Sequence, residues 1–125
     1  MNHPRKEILC IDDDKDTCEL VEFMFKDKGY KVTSCMTAEE GLLFAQKDRY
    51  GAIILDNRFE GIGGSNVCLQ IRSFDTNTPI IFFSGEARPT EIEKGLAAGA
   101  NAYLVKPNDL DKLTDTVIGL AETNK

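Results

Sequence analysis

Short apolar runs alternate with amphipathic stretches five times along the chain, and this alternation constrains the fold more than any other feature. Ile8-Leu9-Cys10-Ile11, Ala52-Ile53-Ile54-Leu55, Ile80-Ile81-Phe82-Phe83 and Ala102-Tyr103-Leu104-Val105 are nearly continuous in apolar character. Runs of this length without polar alternation read as strands covered on both faces, the condition found in parallel sheets. Lys31-Val32-Thr33-Ser34-Cys35 is more polar, which places it at a sheet edge.

The intervening stretches carry helix signals. Asp16 and Glu19 have the spacing of a capping box ahead of the first helix, which ends near Gly29, and Thr37 and Glu40 repeat the spacing for the second. Val67, Ile71 and Phe74 fall on one face of the third. Pro89 suits the first turn of the fourth, which carries Ile92 and Leu96. Asn108 or Asp109 is placed to cap the fifth, whose stripe is Leu110, Leu113, Val117 and Leu120. Strand and helix alternating in this way predict a doubly wound α/β fold, a five-stranded parallel sheet sandwiched between helices. No linker, repeat or low-complexity stretch divides the 125 residues, so one domain over residues 1–125 is expected.

Composition narrows the function classes. A net charge of −6 with no basic cluster argues against direct nucleic-acid binding and against anionic membrane surfaces. No apolar run approaches the roughly 20 residues that cross a bilayer. The polar start from Met1 to Glu7, broken by Pro4, lacks the apolar middle of a secretory signal, so a cytoplasmic location is expected. Cys10, Cys18, Cys35 and Cys68 form no Cys-x-x-Cys pair, and the single histidine, His3, lies far from most of them. That argues against zinc and for reduced, buried thiols.

The chemistry lies in the polar residues at the end of each apolar run. Asp12 and Asp13 end the first, Asp56 the third, Ser84 the fourth and Lys106 the fifth. In open parallel sheets, ligands bind outside the carboxyl ends of the strands, so these side chains converge on one edge. Three aspartates and one lysine leave a net charge of −2 there, and crowded like charges call for a neutralising partner. A hard divalent cation held by carboxylates, water and phosphate oxygens meets that need, which points to Mg²⁺. Beside it Asp56 is a competent phosphoryl nucleophile, and Lys106 and the Ser84 hydroxyl are suited to phosphoryl oxygens.

Ile11-Asp12-Asp13-Asp14, the Leu55-Asp56 strand end, Ser84-Gly85 and Lys106-Pro107 together resemble the receiver domain of bacterial two-component response regulators, with the spacing kept over essentially the whole chain. The resemblance implies a flavodoxin-like (βα)₅ three-layer sandwich with strand order 2-1-3-4-5. It implies a stand-alone signalling switch in which Asp56 takes a phosphoryl group from a histidine kinase or a histidine phosphotransfer protein and passes the signal to an unidentified output protein. By the same resemblance Mg²⁺ is held by Asp13, Asp56 and the backbone carbonyl of Arg58, with Asp12 acting largely through water. Lys106 pairs with the phosphoryl group and the Lys106–Pro107 bond is cis. Ser84 moves toward the phosphoryl group and Tyr103 turns inward behind it. Such a chain is not an enzyme in the usual sense, since it catalyses only its own phosphorylation and dephosphorylation.

The chain departs from the family pattern at Asn57, Glu60, Gly63 and Asn108, and Gly61, Gly63 and Gly64 predict a flexible loop after Asp56. Arg58 and Glu86, two residues past Asp56 and Ser84, have two readings: a salt bridge over the phosphoryl site that slows water, or two solvated charges. Asp14 reads as a helix-start acid. Two competing classes remain, a degenerate receiver serving as a constitutive scaffold and a small Mg²⁺-dependent phosphatase.

Overall fold

A computed structural model describes residues 5–123. The polar stretch Met1–Pro4, with His3, lies outside the described residues. The five apolar runs become strands β1 (Glu7–Ile11), β2 (Lys31–Cys35), β3 (Ala52–Leu55), β4 (Ile80–Ser84) and β5 (Ala102–Val105) of one sheet. Every pairing in it is parallel, and the order is β2-β1-β3-β4-β5, with the polar β2 at an edge as its sequence requires. Helices α1 (Lys15–Lys26), α2 (Ala38–Lys47), α3 (Gly64–Arg72), α4 (Pro89–Ala97) and α5 (Leu113–Thr123) complete the flavodoxin-like sandwich.

The unbroken apolar character of the central strands is explained by two separate cores. Ile8, Cys10, Ile54, Ile81 and Phe83 face Val21 and Phe25 of α1 and Leu113 and Val117 of α5. Their neighbours Leu9, Ile11, Ile53, Leu55 and Phe82 face the other way, against Ala45 of α2 and Val67 and Ile71 of α3. Successive strand residues point to opposite faces, so both parities must be apolar. Burying each large side chain is worth about 1.5–3 kcal/mol. The four cysteines are free and buried.

Several local expectations need correction. The cap of α1 is Asp14, not Asp16: its backbone is extended (φ −93, ψ 109) and its side chain accepts the Asp16 N–H at 3.1 Å and the Thr17 hydroxyl at 2.9 Å. With acids at 12, 13, 14 and 16, several have cap-like spacing, and Asp14, extended and directly before the first helical residue, takes the role. Thr37 caps α2 by accepting the Glu40 N–H at 3.1 Å. Phe74 lies beyond the end of α3 and is 40% exposed. Pro89 opens α4, but that helix buries Gly95 while Leu96 stays exposed. A Cβ on Gly95 would stand 2.9 Å from the Phe82 ring and 3.3 Å from Tyr103, so the helix lies against the sheet where a side chain is missing.

Asp109 does not cap α5. A 3₁₀ turn at Leu110–Lys112 leads into that helix, and the Asp109 carboxylate turns back to accept the Val105 N–H at 2.9 Å. The loop after Asp56 is ordered into a small antiparallel hairpin, Arg58–Phe59 with Ile62–Gly63, in place of the flexible segment that its glycines predict. Gly61 supplies the positive φ of 83° that its turn needs. Gly64 lodges beneath Asp56, where a Cβ would meet the Asp56 carbonyl oxygen at 2.5 Å.

Candidate functional site

The carboxyl ends of β1, β3, β4 and β5 bring Asp12, Asp13, Asp56, Ser84 and Lys106 to one edge. Asp12 and Asp56 are almost wholly covered, and Asp13 is exposed. One carboxylate oxygen from each lies within 4.8 Å of the others. Lys106 Nζ donates to Asp12 Oδ2 at 2.8 Å and stands 4.0 Å from Asp56 Oδ1. Backbone amides fix the two covered carboxylates: Asp14 N–H donates to Asp12 Oδ1 and Asn57 N–H to Asp56 Oδ1, both at 2.9 Å.

These contacts do not balance the burial. Burial pushes the Asp56 carboxyl up from its ordinary value, and Lys106, Ser84 and the Asn57 amide only partly oppose it. Burial likewise raises Asp12 against the pull of Lys106. Burial acts to lower Lys106, but Asp12 and Asp56 outweigh it, so the ammonium stays charged. Three hard oxygen donors with one opposing cation leave a pocket that remains electrostatically incomplete. The donor set, oxygen throughout and open on the Asp13 side, fits a magnesium ion.

The rim beside β4 and β5 is more tightly built than the sequence suggested. Ser84 is fully covered and its Oγ accepts the Glu86 N–H at 3.1 Å. Glu86 is held by Arg88: the Arg88 amide and Nε donate to Oε2 at 3.0 Å each, and Nη2 to Oε1 at 2.8 Å. Those bonds depress the Glu86 carboxyl to about 2. Arg58 reaches Glu86 only at 3.9 Å, so Arg88 is the principal partner, and sequence reasoning missed it. An arginine two residues after an acid was the available signal. Tyr103 points its hydroxyl inward, donating to the Glu86 carbonyl at 2.7 Å and accepting from Asn57 Nδ2 at 3.1 Å. The Lys106–Pro107 peptide bond is cis.

The family model for the response regulator receiver domain matches residues 8–118. This chain belongs to the response regulator receiver family. The receiver is similar to the regulatory protein VanR of Enterococcus faecium, 37% identical over 103 residues that make up 81% of this chain and 43% of that protein. Its fold superposes on the Francisella response regulator 1452 receiver domain with a TM-score of 0.87 at 27% identity, covering 95% of this chain and 98% of that one. It also matches the receiver domain of the sensor histidine kinase PA1611 from Pseudomonas aeruginosa, solved with a magnesium ion coordinated in the active-site cleft, with a TM-score of 0.83 at 28% identity and coverage of 95% and 98%. The receiver spans about half the length of the curated relatives it matches. Among the described residues no helix is long and apolar enough to cross a membrane.

Proposed function

We propose that this receiver is a phosphorylation-dependent switch in which Asp56 accepts a phosphoryl group from a phosphohistidine on a histidine kinase or phosphotransfer protein. An Asp56 carboxylate oxygen attacks phosphorus, the P–N bond to histidine breaks, and an acyl phosphate forms. The observation that carries this reading is the meeting of Asp12, Asp13 and Asp56 oxygens within 4.8 Å beside Lys106. Asp13, Asp56 and the Arg58 carbonyl would hold Mg²⁺, with Asp12 beside them completing the acidic pocket. When bound, the ion neutralises charge between the carboxylates and the phosphoryl oxygens.

Lys106 is the cation of the site nearest the Asp56 carboxylate. It is bonded to Asp12 and 4.0 Å from Asp56, so a small side-chain movement brings it onto a phosphoryl oxygen. Ser84 donates its hydroxyl proton to another, and the β4–α4 connection that it anchors through Glu86 follows it. Tyr103 reports that movement to the face a partner binds. Arg58 and Glu86 stand over the acyl phosphate and govern how readily water reaches it. No external substrate is turned over, and the output is carried by protein contacts rather than by direct nucleic-acid binding, in keeping with the net charge of −6.

Incubation with acetyl phosphate and Mg²⁺, followed by intact-mass measurement, tests the proposal. The expected result is a base-labile gain of one phosphoryl group that is absent in Asp56→Ala. An unmodified wild-type mass favours a constitutive scaffold, and turnover of the donor without an adduct favours a phosphatase.

A further inference from the structure

Asn57 has no task in the chemistry above, yet it is covered, polar and placed two residues past the end of an apolar strand. Its backbone N–H donates to Asp56 Oδ1 at 2.9 Å, while its side-chain Nδ2 donates to the Tyr103 hydroxyl at 3.1 Å. That hydroxyl in turn donates to the Glu86 carbonyl at 2.7 Å. The Tyr103 ring stacks on Phe82 with centroids 5.1 Å apart and planes 24° from parallel. The hydroxyl therefore has both a donor and an acceptor partner, one in the β3–α3 connection and one in the β4–α4 connection. Moving the ring outward would strip Asn57 Nδ2 of this partner in a covered position, and a buried donor without an acceptor is costly. One residue thus bonds both the phosphoacceptor carboxylate and the switch side chain.

We infer that Asn57 is a positioning residue that holds Tyr103 inward before any phosphoryl group arrives. The inference rests on Asp56 being the phosphoacceptor and Tyr103 the reporting side chain. One neutral hydrogen bond of this kind biases the inward placement by roughly two- to tenfold. The partner-binding face is accordingly set in part by Asn57, and the phosphoryl group has a smaller population left to shift.

The test uses the full chain labelled with 3-fluorotyrosine and read by ¹⁹F NMR, where Tyr30, Tyr50 and Tyr103 give three signals and Tyr103→Phe assigns the last. In the wild type the Tyr103 signal is expected to lie close to its position with Mg²⁺ and beryllofluoride before either is added. In Asn57→Leu, close in size but without the donor, it should move toward the solvent-exposed position and return when both are added. An unmoved Tyr103 signal in Asn57→Leu overturns the inference. Should Asn57→Leu disturb the Tyr30 and Tyr50 signals as well, Tyr103→Phe supplies the second arm in ¹⁵N-labelled protein. Loss of the hydroxyl should shift the Asn57 side-chain amide signal and speed its hydrogen exchange, and an unchanged amide signal overturns the inference. Intact mass after acetyl phosphate treatment is read in parallel. A missing adduct in the wild type removes the phosphoacceptor reading while the Asn57–Tyr103 tie is still judged by the NMR signals.

Discussion

Asp56 and Asp75 stand at opposite ends of the same sheet, one just past β3 and the other shortly before β4, and their carboxylates are treated in opposite ways. Asp75 accepts the N–H groups of Asn77 and Thr78 at 3.0 Å each on one oxygen and the Thr78 hydroxyl at 2.6 Å on the other. Burial tends to raise it, but those donors and nearby Arg72 outweigh the burial and leave it below its ordinary value. Asp56 has one amide at 2.9 Å, a lysine at 4.0 Å and the nearby Ser84 hydroxyl, and burial still wins. The difference separates a carboxylate that closes a loop from one kept short of partners. The lone pairs that the protein leaves unmet at Asp56 are the ones a cation and a phosphoryl group would use.

The contrast is broken or sharpened by measurement. Asp75→Ala should lose about 2–3 kcal/mol in chemical denaturation, because the buried Thr78 hydroxyl and two amides lose a charged acceptor. Magnesium comes next: at ten times its Kd, free Mg²⁺ should add about 1.4 kcal/mol to the wild type by mass action. That gain should vanish in Asp13→Ala, and equal melting with and without Mg²⁺ would remove the cation site. Asp56→Asn in cation-free buffer should shift stability the other way from Asp75→Ala, upward at neutral pH, because burial holds the Asp56 carboxyl above its ordinary value. Loss of stability in both variants would end the distinction.

The pH dependence carries a sign for each carboxylate. A raised folded pKa means that Asp56 favours the fold below its unfolded value and loses that contribution as pH rises through the folded value, so the advantage of Asp56→Asn exists at neutral pH and disappears in acid. A lowered folded pKa means that the Asp75 contribution is present above the ordinary value of 3.8 and is lost as pH falls through the folded value, so the deficit of Asp75→Asn shrinks in acid. Both variants should therefore converge on the wild type at low pH from opposite sides, as read by urea midpoints at successive pH values. The smallest effect is Arg58→Ala, whose exposed ion pair at 3.9 Å should leave melting unchanged.

The strands, the edge place of β2 and the polar side chains at the carboxyl ends were legible because burial on two faces forces continuous apolar runs that must stop where water and ligands begin. Ala102–Val105 reads as such a run, yet it is the other edge strand and mostly half-buried. Thr37 was legible because its cap is a fixed spacing along one helix. What escaped depends on paths of chain that meet only in space. The Asn57–Tyr103 bond joins residues 46 positions apart, and the Glu86–Arg88 clamp depends on how one short connection turns. The buried face of α4 was misread because contact there comes from Gly95, a residue that no hydrophobic pattern counts. The order of the Arg58–Gly63 hairpin was hidden for a related reason, since glycines that fit a tight turn look the same in sequence as glycines in a loose one.

The carboxylate of Asp109 has a consequence for how the molecule keeps to itself. In the parallel ladder the Lys106 amide bonds to Ser84 of β4, so the neighbouring Val105 amide faces the open side of β5. A strand from another molecule could dock there by backbone pairing, and the half-buried apolar character of Ala102–Val105 would welcome it. Asp109 already occupies the Val105 amide and sets a negative charge at that point, so an incoming strand meets a filled socket and a repelling oxygen. At the far edge Lys31 stands exposed at the start of β2 and marks that border with the opposite charge. The sheet is finished at five strands by side chains as much as by the end of its apolar runs.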